Sequence, residues 1–123
     1  IDQSIAMASL FAAYHLDVKA VAAMTSSGST ALWMSRLNCG IPIYALTTES
    51  QAQTKMTLFR EVYPLLMREM HRDQEAQRYD AEKRLLEAGV VKPGDLIVLS
   101  YGDKTGLTGG TNTMTIVRVG DHK

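Results

Sequence analysis

Four short apolar segments of strand length are separated along this chain by segments with helical patterning, and this alternation constrains the fold more than any other feature. The apolar segments cover residues 18–24, 41–46, 62–67 and 96–101. Strands that follow one another through a helix are joined by right-handed crossovers into a parallel sheet, with helices on both faces. We therefore expect an α/β domain with three layers, α/β/α, around a mostly parallel sheet.

Four helices are predicted between and before these segments, at residues 2–16, 31–37, 48–59 and 73–88. Apolar side chains go most of the way round the first, which predicts a largely buried helix. The third begins with capping-box spacing from Thr48 to Gln51.

The fourth predicted helix is highly charged, and its apolar face has to be chosen among few candidates. Ala76, Tyr79, Lys83 and Leu86 share one stripe, so we predict that this stripe packs on the sheet, with the lysine stem included. Gly89 is suited to end the helix in the left-handed conformation.

Two strands are expected at the edges of the sheet. Pro64 lies inside the third apolar segment, and because proline cannot donate to a hydrogen-bonded ladder, this strand belongs at an edge. A fifth strand, residues 111–119, follows the fourth without a helix, so we expect it to be antiparallel and at the other edge. Its alternation separates Thr113, Thr115, Val117 and Val119 from Met114, Ile116 and Arg118.

The composition limits the classes of function. The chain has 123 residues, the size of a single domain over residues 1–123. Its 13 basic residues equal its 13 acidic ones, so the chain has no net positive charge to attract nucleic acid. No nucleic-acid partner is therefore expected. No apolar run approaches the roughly 20 residues that span a bilayer, so no membrane partner is expected either. Helical patterning begins at the second residue without an initiator Met, so we expect a piece cut from a longer protein.

Neither catalytic nor metal-binding residues are clustered in the sequence. His15, His71 and His122 are scattered and Cys39 is the single cysteine. Because zinc needs ligands close together, no metal site is expected, and no acid, base or nucleophile constellation is present. The sequence therefore gives little support to the hypothesis that the chain is an independent small enzyme.

The strongest candidate site is a loop of small polar residues between the first strand and the second helix. It consists of Thr25, Ser26, Ser27, Gly28, Ser29 and Thr30. In a parallel sheet this is the carboxyl end of a strand, next to a helix N-terminus whose free N–H groups favour anions. Five hydroxyls and a glycine are suited to cradle a phosphate, although the Gly-Lys-Ser/Thr of a nucleotide-hydrolysing loop is missing. A hydroxyl-rich turn that only caps the helix explains the pattern equally well.

A second candidate is the glycine-rich stretch at residues 102–110, which follows the fourth strand. Four glycines in nine residues predict a flexible flap, in which Lys104 is the only cation available to meet a phosphate. A plain hairpin connection is the alternative. On the charged helix, Arg78, Lys83 and Arg84 are secondary candidates for contact with an anion.

Several motifs, in register along the chain, resemble the C-terminal domain of pyruvate kinases of a bacterial type. The resemblance spans nearly the whole chain. It is carried by TSSGSTA at residues 25–31, Ser35-Arg36, IPIYALT at 41–47, KPGDLIV at 92–98 and GTNTM at 110–114.

The resemblance implies a five-stranded sheet of order 3-2-1-4-5 with strand 5 antiparallel. It also implies a cytoplasmic, regulatory and oligomer-forming domain of a glycolytic kinase that transfers a phosphoryl group from phosphoenolpyruvate to ADP. The catalytic barrel, with its Mg and K ions, would lie elsewhere in the same chain, so this domain would need no cofactor and would be inactive alone. It would pair with the C-terminal domain of another subunit.

In that family the loop matching residues 25–30 binds the phosphate of a sugar phosphate or nucleotide effector, and the glycine-rich loop closes over it. Lys104, Gly106, Gly109 and Gly110 would form this flap. This sequence departs from members that hold fructose 1,6-bisphosphate, because it has no matching Trp-and-Arg pair near residues 70–80 and no basic residue in the first loop. A monophosphate such as glucose 6-phosphate, ribose 5-phosphate or AMP is at least as plausible, and an assembly module without an effector is the alternative.

Overall fold

A computed structural model of the chain describes residues 2–25, 28–37, 40–68, 74–101 and 113–120. The elements follow in the order α1 (Asp2–Leu16), β1 (Ala20–Met24), α2 (Ser29–Leu37), β2 (Ile43–Thr47), α3 (Ser50–Met56), β3 (Val62–Leu66), α4 (Gln74–Glu87), β4 (Leu96–Tyr101) and β5 (Thr113–Arg118). The predicted alternation of helices and strands is confirmed.

The five strands form one sheet in the order β3-β2-β1-β4-β5. β1 pairs in parallel with β2 and β4, β2 pairs in parallel with β3, and β4 and β5 are antiparallel. Both edge assignments are therefore confirmed. Pro64 lies on the outer strand β3 opposite Ala45, where its missing N–H breaks no central ladder.

The sheet has an apolar cluster on each face, and the central strand β1 supplies both because it is buried throughout. The first apolar cluster contains Val21 and Ala23 and is covered by α1, α2 and α3. The second apolar cluster contains Ala20, Ala22 and Met24 and is covered by α4. The predicted alternation of β5 is confirmed, since Val117 and Val119 belong to the second cluster and Met114 packs against the first.

The prediction that α1 is largely buried is wrong. Only Ala6, Leu10 and Ala13 among its apolar residues are buried in the first cluster. A helix that packs on a sheet from one side leaves its far side uncovered, whatever residues lie there. The exposed large apolar residues of α1 are Met7, Phe11, Tyr14 and Leu16.

The prediction of a capping box at the start of α3 is also wrong. The N-cap is Glu49, which makes no side-chain capping hydrogen bond, and the helix ends at Met56 rather than near Phe59. The threonines before it bond differently: Glu49 N–H donates to Thr47 Oγ1 at 3.1 Å. Because the N-cap is Glu49, the hydroxyl of Thr48 lies one residue before the position that a capping box requires.

The predicted inward stripe of α4 is wrong as well. Tyr79, Lys83 and Leu86 are exposed, whereas Ala81 and Leu85 are in the second apolar cluster. Glu82 lies with them and is 1% exposed. Because the carboxylate of Glu82 occupies an inward position, the buried face of α4 could not be recognised from its apolar residues alone. Gly89 ends the helix with a φ of +76°, as predicted.

Candidate functional site

Three buried hydroxyl side chains mark the carboxyl ends of neighbouring strands. Thr25 directly follows β1, Thr47 ends β2, and Ser100 is the last but one residue of β4. Each lies two residues beyond a member of the first apolar cluster, so alternation places all three on the same face of the sheet. The backbone ladder continues to Thr25, whose N–H donates to Leu46 O at 3.0 Å. The carboxyl edge on the face of α1–α3 is therefore polar although the strands are apolar.

A tight turn joins β1 to α2 at this edge. Gly28 N–H donates to Thr25 Oγ1 at 2.9 Å, and Leu32 N–H donates to Gly28 O at 2.9 Å to open the helix. Gly28 has a φ of +92°, a conformation that favours glycine. The hydroxyl that ends the strand thus holds the turn that brings the N-terminus of α2 to the sheet edge.

α3 presses against this turn. A Cβ on Gly28 would lie 3.1 Å from Met56 Cγ and 3.8 Å from Phe59 Cε2. Glycine is therefore required here both by the backbone conformation and by the approach of α3.

The described residues of the predicted loop differ in exposure. Thr25, Gly28 and Thr30 are buried, whereas Ser29, the first residue of α2, is partly exposed. There is no acidic residue in the first turn of α2. The first turn therefore combines backbone N–H groups and a partly exposed hydroxyl with no carboxylate of its own, which is a favourable environment for an anion.

Sequence reasoning missed Thr47 and Ser100. Ser100 Oγ is fully buried and has no hydrogen-bond partner within the part of the chain that the structure describes. Buried hydroxyls ordinarily have a partner, so this group is an exception at the same edge as the turn. The signal was present in the sequence: both are hydroxyl residues that close an apolar run, in IYALT and in LIVLS.

A family model described as "Pyruvate kinase, alpha/beta domain" matches residues 3–117 of the chain. The chain belongs to this family. Among its relatives are a pyruvate kinase of Buchnera aphidicola subsp. Baizongia pistaciae (35% identical over 97% of the chain) and pyruvate kinase II of Salmonella typhimurium (35% over 97%). The pyruvate kinase of Thermotoga maritima is 36% identical over 85% of the chain. The chain spans 25% of the length of the first two relatives and 22% of the third.

The other predicted site residues of this pyruvate kinase domain lie outside the described part of the chain; they are Ser26, Ser27, Lys104, Gly106, Gly109 and Gly110.

The two arginines of α4 have partners within the domain. Arg84 Nε donates to Leu66 O at 3.1 Å, and Arg78 Nε lies 3.8 Å from Glu82 Oε2. Lys83 is exposed.

The described residues contain neither clustered metal ligands nor a helix suited to a bilayer. No group of three or more His, Cys, Asp or Glu residues is placed to hold a metal ion. None of the described helices combines the length and apolar character needed to cross a bilayer.

Proposed function

We propose that this chain is the allosteric and oligomer-forming domain of a pyruvate kinase, with a site for a phosphorylated effector at residues 25–30. The rest of the same protein would carry the catalytic domain, its Mg and K ions, and the transfer of a phosphoryl group from phosphoenolpyruvate to ADP. Membership of the family supports this proposal, as does the chain's share of about a quarter of its relatives' length.

The observation that carries the effector site is the turn held by Thr25 and Gly28 at the end of the central strand. It delivers the N-terminus of a nine-residue helix to the edge of a parallel sheet, where ligands of this fold class bind. Backbone N–H groups of the first turn of α2 would bind the phosphate, together with the hydroxyls of Ser26, Ser27 and Ser29. Thr25 and Thr30, which are buried, would support the loop.

The donor set favours a single phosphate group. No basic residue is present in residues 25–30, so the loop supplies only neutral donors and the positive end of a helix dipole. We therefore propose a sugar monophosphate or AMP as the effector class. Lys104, with Gly106, Gly109 and Gly110, would close over it, on the ground of their residue types and the family resemblance.

Regulation would work through linkage. An effector that binds the active arrangement of the enzyme better than the inactive one shifts the population toward it, by no more than its difference in affinity. The effector need not touch the catalytic domain for this to happen.

The assembly role is supported by the outer face of α1. Between Gln3 and Tyr14 this helix has no charged residue, although Met7 and Phe11 are more than half exposed. The ring centroids of Phe11 and His15 are 4.1 Å apart, so the aromatic surface continues to His15. Uncharged, aromatic surface is typical of protein interfaces. We propose that this face pairs with the same domain of another subunit, and that the free edge of β5 lies at its side.

Thermal unfolding of the chain against a panel of phosphates tests the effector site. The panel is glucose 6-phosphate, ribose 5-phosphate, AMP and fructose 1,6-bisphosphate, with inorganic phosphate as the control ligand. A ligand at about 100 times its dissociation constant adds about 2.7 kcal/mol to the free energy of unfolding, a shift of several degrees.

The variants Ser27→Ala and Ser29→Ala should abolish a selective shift. Ser35→Ala is the matched control, because this hydroxyl lies further along α2 and donates to Arg60 O at 2.8 Å. If no member of the panel raises the unfolding temperature, the effector site is rejected and the assembly module remains.

A further inference from the structure

Glu82 is the only charged side chain that is buried in the described part of the chain. It lies on α4 beside Ala81 in the second apolar cluster, with Leu85 one turn further on. Burying a carboxylate costs free energy unless hydrogen bonds or opposite charges compensate for it. The partners of this side chain therefore indicate what it does.

One partner of Glu82 belongs to the residues that follow the edge strand β5. Glu82 Oε1 accepts a hydrogen bond from Gly120 N–H at 3.0 Å, across 38 residues of sequence. Arg78, one turn earlier on the same helix, places its Nε 3.8 Å from Glu82 Oε2. Gly120 stands two residues after β5, with a φ of +85°.

Two side-chain hydrogen bonds of β5 contribute to its register, one between Tyr101 OH and Thr115 Oγ1 at 3.2 Å and one from Arg118 Nη1 to Gly94 O at 3.0 Å. The strand pairs with β4 alone, from Tyr101 opposite Thr113 to Leu96 opposite Arg118. A slip of two residues would keep every side chain on its present face, since the side-chain period of a strand is two. It would bring Thr115 or Val119 to the inward position of Val117, and Val117 or Asp121 to that of Val119.

We propose that Glu82 is a register key for β5. After a two-residue slip, residue 118 or 122 would stand where Gly120 now stands, in a left-handed conformation that favours glycine. The N–H offered to the carboxylate would then belong to a strained residue. The hydrogen bond and the glycine conformation are satisfied together only in the observed register.

Specificity explains this carboxylate better than stability does. Replacing a buried ion pair by apolar residues of similar size is often neutral or stabilising, whereas a buried polar group is known to select one register among several. The register in turn places Thr113 opposite Tyr101 and so fixes where the chain returns to the sheet after residues 102–112. A slip of two residues would move that point by about 7 Å.

The test compares three variants of this chain by nuclear magnetic resonance. In the double variant Arg78→Met with Glu82→Leu, we expect additional cross-strand contacts beside the native one between Val98 and Ile116. We also expect the Gly120 amide to exchange with solvent about tenfold faster or more, while the unfolding temperature stays within a few degrees. Glu82→Gln, which keeps an acceptor for Gly120, should retain the native contact.

Arg84→Met is the matched control, because it removes a side-chain bond from the same helix to Leu66 rather than to β5. A single native register in the double variant, with unchanged exchange at Gly120, would overturn the proposal. If the double variant does not fold, amide exchange in the unmodified chain is the test. A Gly120 amide that exchanges as fast as that of a free peptide would reject the proposal that Glu82 is a register key. A Gly120 amide as protected as that of Val117 would support it.

Discussion

Gly28, just before α2, leaves the space that Met56 of α3 approaches: a Cβ added to Gly28 would lie 3.1 Å from Met56 Cγ. The turn that ends β1 is therefore closed on one side by the hydroxyl of Thr25 and on the other by α3. A side chain at position 28 therefore has no room unless Met56 moves.

Gly28→Ala should lower the free energy of unfolding by about 2–3 kcal/mol. The left-handed φ of +92° accounts for about 1–2 kcal/mol, and displacement of Met56 adds the rest. Gly89→Ala is the matched control, since its φ is +76° but nothing lies within 4 Å of the added Cβ. Urea unfolding of both variants measures the difference, and an equal loss in the two would show that the Met56 contact costs nothing.

Phe11→Glu should weaken self-association of the domain, because it places a charge in the uncharged face of α1. We expect the dimer dissociation constant to rise about tenfold or more, as for the loss of an aromatic anchor at an interface. Leu58→Glu is the control, since Leu58 is 86% exposed and lies outside α1. Analytical ultracentrifugation over a range of concentrations reads this out. Two variants with the same association behaviour would reject α1 as the interface.

Glu61→Gly should stabilise the chain, by up to about 1 kcal/mol. Glu61 has a φ of +64°, which strains a side chain with a Cβ, and its carbonyl bond to Ile43 N–H does not need the side chain. Asp17→Gly, at a φ of 55°, should gain less because aspartate tolerates this conformation better. Thermal and urea unfolding compare the two, and a destabilised Glu61→Gly would show that its side chain makes a contact worth more than the strain.

Above pH 10 the stability should fall in a way that depends on Tyr44. Burial raises the pKa of the Tyr44 phenol from its ordinary value of 10.0, and the neighbouring Tyr63, 5.6 Å away between ring centroids, raises it further. The unfolded chain therefore loses this proton first. The contribution of Tyr44 is fully present below pH 10.0 and is lost as the pH rises through the higher pKa of the folded state.

Tyr44→Phe should remove this part of the loss, and Tyr63→Phe should reduce it, because desolvation of Tyr44 remains. Unfolding in urea at several alkaline pH values, together with absorbance titration of the phenolates, gives the comparison. Tyr79→Phe serves as the control, since Tyr79 lies on an exposed face of α4. A Tyr44→Phe variant with the same alkaline slope as the unmodified chain would contradict the expectation.

Most of the topology follows from local features of the sequence. The bounds of α1 and β4 were predicted at residues 2–16 and 96–101, because each segment carries a continuous pattern of its own. Pro64 and the missing helix before β5 were enough to place the two edges. These are short-range constraints, and a single chain displays them without its partners.

The candidate site could be predicted only in part. The residue types of the loop after β1 indicated a phosphate cradle or a cap, but not that Thr25 would hold Gly28 or that Met56 would close the turn. Both contacts depend on how strands and helices meet in space. Thr47 and Ser100 were overlooked because a hydroxyl at the end of an apolar run has no meaning until neighbouring strands are aligned.

The sequence by itself determined the order of helices and strands and the mostly parallel sheet with its two edges. Only the tertiary structure decided which faces are covered. It exposed the apolar side of α1, where the sequence predicted burial, and it buried Glu82, which lies outside the stripe that the sequence predicted to face inward. The physical reason is that burial depends on which partner arrives. The hydrogen bond from Gly120 helps to hold a carboxylate inside, whereas Phe11 remains mostly exposed because no other described element packs over it.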